Sequence, residues 1–324
     1  MTGPPVVILG VSRSGTTLLK EMLDGSSELA IPSESYFIPQ LWDRHGPEPD
    51  PEAILDDLGR IQRVREWGVT PGDVRRRLPE DPSFRDVILP VYRAYAERRG
   101  KGRFGDKTPA YMQHLELLDS VFPGAQYVHI VRDGRDAGLS FLRMRRRPRF
   151  NWARPRGLDD FACQWDLEVR AAREFGATTA RGRYLELRYE DLVVQPDRRL
   201  REVCDFLGLA FEPKMLEYHR EVEQERLQDH PRLAEPPARG ARDWREELAP
   251  VDAERFEAIA GPLLEDLGYP RAHPRPARKI LLRARVLRAA FRLRVSAWKK
   301  GLALVRRSPV WRARQVYIRR TSPS

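Results

Sequence analysis

The chain has 324 residues, a 41% apolar share and 32% charged residues, enough apolar surface for a real core and too much for a disordered chain. Its net charge of +11 is uneven: residues 271–324 hold 17 Lys and Arg with no Asp or Glu, leaving 41 basic and 47 acidic residues, a net of −6, in 1–270. Two cysteines, Cys163 and Cys204, exclude a disulfide framework and point to a reducing, cytoplasmic setting; no uncharged apolar run reaches the roughly 18 residues of a membrane span.

Met1 to Pro5 is too short for a signal peptide, and the apolar run Val6–Leu9 follows at once as a buried strand. A loop from Val11 to Gly15 leads into a helix over Thr16–Asp24, with Leu18, Leu19, Met22 and Leu23 at helical spacing. Pro47 to Pro90 reads as short helices and loops. Gln126–Val131 is a second strong strand, followed by a helix through Ala137, Leu139, Phe141 and Leu142. Arg143 to Arg156 has seven Arg, two Pro and no acid, and reads as a basic loop. Phe161–Phe175 is an amphipathic helix, Tyr184–Tyr189 a strand, and Asp191–Leu207 one helix stopped by Gly208. No repeat is visible. The order predicts a parallel sheet covered by helices.

Gly10-Val-Ser-Arg-Ser-Gly-Thr-Thr17 has the frame of a Walker A loop, with Thr16 in place of the usual Lys and Arg13 inside the loop. Gly10 and Gly15 permit a tight path whose N–H groups make an anion nest at the positive end of the following helix. The hydroxyls of Ser14, Thr16 and Thr17 can donate to phosphate oxygens, and Arg13 adds a bidentate fork. Without the Lys that serves β- and γ-phosphates, the loop suits a donor with a shorter anionic tail than ATP.

Gly10 to Leu19 resembles the 5′-phosphosulfate loop of sulfotransferases that use 3′-phosphoadenosine 5′-phosphosulfate (PAPS). The continuation to Glu34 is similar to the branch holding bacterial and tyrosylprotein sulfotransferases. Val131-Arg-Asp-Gly-Arg-Asp-Ala-Gly-Leu-Ser140 resembles the family's 3′-phosphate segment, which makes Arg132 and Ser140 the contacts to that phosphate. Weaker likenesses follow. Gly105 to Pro109 would bring Lys107 to the sulfate. Leu187 to Val193 would hold the nucleotide through Tyr189. Gly240 to Leu248 would close over it with Arg242 at the 3′-phosphate, Arg239 being the competing choice.

The resemblance covers about residues 5–270 and implies an α/β, P-loop NTPase-like three-layer fold with a central parallel sheet flanked by helices. It leaves without a motif both a helical stretch at about 43–104, expected on the acceptor side, and the basic helical C-terminal tail at 271–324. It further implies in-line sulfuryl transfer to a hydroxyl or amine of a small-molecule, glycan or lipid-linked acceptor. Lys107 and Arg13 would steady the leaving oxygen, and Glu34 would act as base, with His114 second in line. No metal is called for: HExxH, paired-Cys spacing and clustered carboxylates are all missing from the sequence. The rival readings are a P-loop kinase and a non-catalytic binder of the nucleotide product PAP at a membrane surface.

In the tail, a helix over Arg278–Lys299 would gather Arg278, Arg285, Arg288, Arg292 and Lys299 on one side and Leu282, Val286, Ala290, Leu293 and Ala297 on the other. The tail is expected on an anionic membrane surface as an interfacial helix, placing the enzyme at the inner face of the membrane. The alternatives are folding back on the acidic body and non-specific contact with nucleic acid, which is otherwise not an expected partner.

Overall fold

The computed structural model describes residues 3–143, 155–220, 231–236 and 243–306. Five parallel strands form one sheet: β1 (Val6–Leu9), β2 (Leu29–Ala30), β3 (Arg103–Lys107), β4 (Gln126–Val131) and β5 (Tyr184–Arg188), in the spatial order β2-β3-β1-β4-β5. β1 lies between β3 and β4, with Val6 opposite both Gly105 and Gln126.

Strand alternation divides the core. Val7 and Leu9 of β1, with Phe104 and Tyr127, face one cluster; Val6 and Ile8, with Val128 and Ile130, face the other. α1 (Thr16–Asp24) covers the second face. The first receives α2 (Ile38–His45), α3 (Pro51–Arg60), α4 (Gln62–Glu66), α5 (Pro71–Arg75), α6 (Phe84–Arg98) and α7 (Leu115–Val121). Then come α8 (Gly134–Leu142), α9 (Leu158–Ala177), α10 (Tyr189–Val194) and α11 (Pro196–Leu207), of which α9 adds to the first face and α10 and α11 to the second. Short α12 (Trp244–Glu247), α13 (Pro250–Asp266) and the long α14 (Arg278–Arg306) close the described chain. The result is a central parallel sheet between two helical layers, the predicted fold class.

Local departures from the sequence reading have identifiable causes. In sequence, Arg-Phe-Gly-Asp-Lys of β3 has no apolar run and shows only as a motif segment, yet all five residues are buried. Its buried Arg103 is held by three acceptors: it donates to the carbonyls of Pro4 and Leu207 and to Gln126 Oε1 (2.5, 2.6 and 2.5 Å). The predicted single helix over Asp191–Leu207 is two, α10 and α11. Pro196 begins the second, where its missing N–H costs nothing. α6 starts inside the stretch read as short helices and runs for 15 residues with Pro90 in its interior. A Ser83–Asp86 capping box and the buried line Val87, Ile88, Val91, Tyr92 and Tyr95 outweigh the proline.

The tail helix folds back on the body. Ala284, Phe291 and Val295 are buried in the first cluster, and α14 packs on α9, α13 and α2. Arg288 therefore does not stand on a solvent-facing cationic side: its Nη1 donates to the Ile259 carbonyl at 3.2 Å. Arg294 and Arg283 reach Asp160 and Asp159 of α9 at 2.7 and 3.2 Å. Among the described residues no helix is long and apolar enough to cross a membrane.

Candidate active site

Parallel strands bring their carboxyl ends to one edge, and there the loops after β1, β3 and β4 meet. The β1 loop turns sharply into α1. Gly15, at the N-cap, has φ of 95°, and a Cβ there would lie 2.3 Å from Tyr189 Cδ2, so only glycine fits both the backbone and the neighbour. Arg13 also has positive φ, 75°. Strain of this kind in a non-glycine residue persists only where surrounding contacts impose it. Here Arg13 Nε donates to Ser140 Oγ at 2.9 Å, and Arg132 Nη1 reaches the Arg13 carbonyl at 3.4 Å.

Arg132 extends from the end of β4 over the Tyr189 ring, 4.7 Å from its centroid. Its carbonyl accepts from Trp165 Nε1 at 3.2 Å, which fixes the strand end. Its buried Nε has no hydrogen-bond partner, and neither has the buried Ser14 Oγ. Two unmet polar groups at one loop cluster are what a bound anion would satisfy. Thus Arg13, Ser14, Gly15, Arg132, Ser140 and Tyr189 come together. Sequence reasoning assigned Arg13 and Ser140 to opposite ends of the donor, whereas here the two side chains are bonded to each other.

Lys107, at the end of β3, is the second focus. Its ammonium donates to Glu34 Oε1 at 2.6 Å and to Thr17 Oγ1 at 3.3 Å, linking α1 to the loop after β2. Thr16 is buried behind the loop, against the position a Gly10 side chain would take. The Tyr36 hydroxyl donates to the other Glu34 oxygen. Tyr36 has φ of 57°, so both non-glycine residues with positive φ among those described belong to this site.

Sequence reasoning missed the support beneath Glu34 and Lys107. Ser35 and Tyr92 donate to the fully buried Asp106 at 2.8 and 2.7 Å; the Ser35 N–H donates to Thr108 Oγ1 at 3.0 Å, and Tyr111 lies 2.7 Å from Ser35 Oγ. Burial pushes the Asp106 carboxyl up, more than the hydrogen bonds from Tyr92 and Ser35 pull it down. The signal was present, since Ser35 and Asp106 adjoin the two residues singled out, but their pairing is a tertiary fact. His114, the second candidate base, stands between a 3₁₀ turn (Pro109–Gln113) and α7.

Arg239 and Arg242 lie outside the described residues. The neighbouring Trp244 is placed: its backbone N–H donates to Asp136 Oδ1 at 2.9 Å, and the Arg135 guanidinium lies 3.8 Å from its ring centroid. Burial, with the Asp133 charge adding to it, pushes the Asp136 carboxyl up to about 6. Among the described residues no group of three or more His, Cys, Asp or Glu is arranged to hold a metal ion.

A glycine-bounded anion loop at the helix start, with cations converging from two further strand ends, defines a P-loop-type α/β protein built for an anionic ligand. More narrowly, a profile of the sulfotransferase family matches residues 4–213, and the chain belongs to that family. Protein-tyrosine sulfotransferase 1 of Danio rerio is 27% identical over 294 residues, 84% of this chain and 74% of that one. Protein-tyrosine sulfotransferase A of Caenorhabditis elegans is 26% identical over 222 residues, 68% of this chain; the chain spans about half, 53%, of that relative's length. The sulfotransferase domain of the Synechococcus PCC 7002 olefin synthase has the same fold: TM-score 0.59, 24% identity, covering 83% of this chain and 97% of that domain.

Proposed function

We propose that the protein transfers a sulfuryl group from PAPS to an acceptor hydroxyl, with Glu34 as the base. One observation carries this reading: Lys107 touches both Thr17 of the phosphate-loop helix and Glu34, so a cation joins the donor loop to a carboxylate. PAPS, when bound, supplies the activated sulfuryl group. The loop N–H groups, Ser14 and Arg13 bind its 5′ anionic end, while Arg132 and Ser140 bind the 3′-phosphate and Tyr189 flanks the nucleotide. The unmet Ser14 Oγ and Arg132 Nε fit such a ligand.

Glu34 takes the acceptor's proton as the oxygen attacks, a role that needs a carboxylate held at hydrogen-bond reach. Tyr36 and Lys107 hold its two oxygens. Lys107 also offsets the charge developing on the departing phosphate oxygen, the term that dominates transfers of this type. The relatives named as protein-tyrosine sulfotransferases make a phenol hydroxyl one acceptor class to test beside small molecules, glycans and lipid-linked hydroxyls.

Calorimetric titration with PAP and with ATP–Mg²⁺ tests the donor. PAP should bind and ATP–Mg²⁺ should not compete with it; preference for ATP–Mg²⁺ would assign the loop to a kinase. Labelled PAPS is then incubated with a lysate of the source organism and with a tyrosine peptide, and products are searched by mass spectrometry for a gain of SO₃. PAP binding without turnover on any acceptor would leave a nucleotide-binding protein and no transferase.

A further inference from the structure

α14 is apolar along two opposite lines. On one, Ala284, Phe291 and Val295 are buried against the body. On the other, Leu282, Val286 and Leu293 are 64%, 60% and 71% exposed, the most exposed large apolar side chains among the described residues. At about 100° per residue these three fall within about 40° of one another and about 180° from the buried line. Packing on the body therefore explains one stripe and leaves the other facing out.

Cations border the outer stripe on both sides. Arg278, Arg285 and Arg292 run along one edge, Lys279, Arg283 and Arg294 along the other. Arg283 and Arg294 are paired with Asp159 and Asp160, whereas Arg278, Lys279, Arg285 and Arg292 have no ion pair among the described residues. An apolar line bordered on both sides by cations, four of them without an ion pair among the described residues, is suited to an anionic lipid surface, where the line enters the acyl boundary and the cations meet phosphates.

We propose that α14 docks the protein on an anionic bilayer, lying in the headgroup plane with Leu282, Val286 and Leu293 inserted, while its opposite line stays in the protein core. Membrane contact and folding back, alternatives in the sequence, are then served by two faces of one helix. A second copy of the chain is a poorer occupant. Self-pairing would set arginine rows against each other, and residues 271–324 contain no acid to relieve them. The inference goes beyond sulfuryl transfer and does not depend on it.

The test is flotation of the full chain with phosphatidylcholine vesicles, with and without phosphatidylglycerol. Wild type should float only with the anionic vesicles, and less at high salt. The triple variant Leu282→Ser, Val286→Ser, Leu293→Ser alters only exposed side chains, so its circular dichroism should match wild type, while its partition onto anionic vesicles should fall about tenfold or more. Arg285→Gln with Arg292→Gln should weaken binding in the same direction. Failure of wild type to float, or a triple variant that floats as well as wild type, would overturn the proposal. Wild type that stays off vesicles and loses a dimer in light scattering on triple substitution would give the face to a second copy.

Discussion

Arg13 and Arg132 meet at one place from two strand ends, Arg132 Nη1 reaching the Arg13 carbonyl, and together they concentrate positive charge beside the loop. Arg13→Ala and Arg132→Ala should each lower PAP affinity about ten- to hundredfold, the worth of one charge-assisted contact, with the fold intact. Calorimetry checks this, and unchanged affinity in both variants would remove the donor site from this loop. Glu34→Gln keeps an oxygen for Tyr36 or Lys107 but loses basicity. It should therefore bind PAP as wild type does and turn over about 10²–10⁴-fold more slowly. A variant with full turnover would pass the role elsewhere, His114 first. Glu34, Lys107, Arg132 and Ser140 were legible because each lies in a short local pattern. Asp106, Tyr92 and Tyr111 were not: in sequence they look like an acid beside a lysine and two core aromatics. Only the packing of α6 and the turn after β3 onto Ser35 turns them into a brace for Glu34.

The strand–loop–helix unit at β1 and α1 was readable because its apolar run, glycines and helical spacing agree. Its dependence on Gly15 is sharper than the sequence shows, since an added methyl would strike Tyr189, which lies beneath Arg132. Gly15→Ala should cost about 1–3 kcal/mol of stability from the left-handed backbone alone. By displacing the Tyr189 ring it should also lower PAP affinity; thermal unfolding and titration read the two effects separately. β3 was not readable as a strand, because burial of its charged residues depends on distant partners: Pro4, Leu207 and Gln126 for Arg103, Ser35 and Tyr92 for Asp106, Glu34 and Thr17 for Lys107. β4 holds a further hidden feature. His129 is fully buried 2.6 Å from the Tyr184 hydroxyl, and burial, with the Arg173 charge adding, pushes its imidazole down to about 3. Its ordinary value is near 6.5, so below that pH the unfolded chain takes a proton that the native state refuses. His129 thus contributes stability that is full above about pH 6.5 and declines by up to about 1.4 kcal/mol per unit as pH falls towards 3. His129→Gln should flatten that limb of the stability–pH curve in urea titrations; an unaltered slope would mean the imidazole is protonated in the native state.

At the scale of the whole chain, 17 basic residues in 271–324 face a body of net −6, and attraction between the two is the obvious cause for folding back. The contacts argue otherwise. The ion pairs of Arg283 with Asp159 and Arg294 with Asp160 are partly open to solvent, and pairs of that kind contribute about 0–1 kcal/mol each. Phe291, 3% exposed, is anchored in the same core cluster as Phe161, Phe256 and Ile259, and losing such a ring costs about 3–5 kcal/mol. Burial should therefore dominate the docking of α14, with charge trimming it. The sequence concealed this because Leu282, Val286 and Leu293 make a stripe that fits a membrane helix, Phe291 and Val295 lie on the opposite line, and nothing local says which side meets the body. Urea unfolding of Phe291→Ala should show a loss of about 3 kcal/mol or more. Arg294→Ala should lose under about 1 kcal/mol, and added salt should shift wild type little. The reverse order, with Arg294→Ala and salt costing more than Phe291→Ala, would make electrostatic attraction the force that holds the tail.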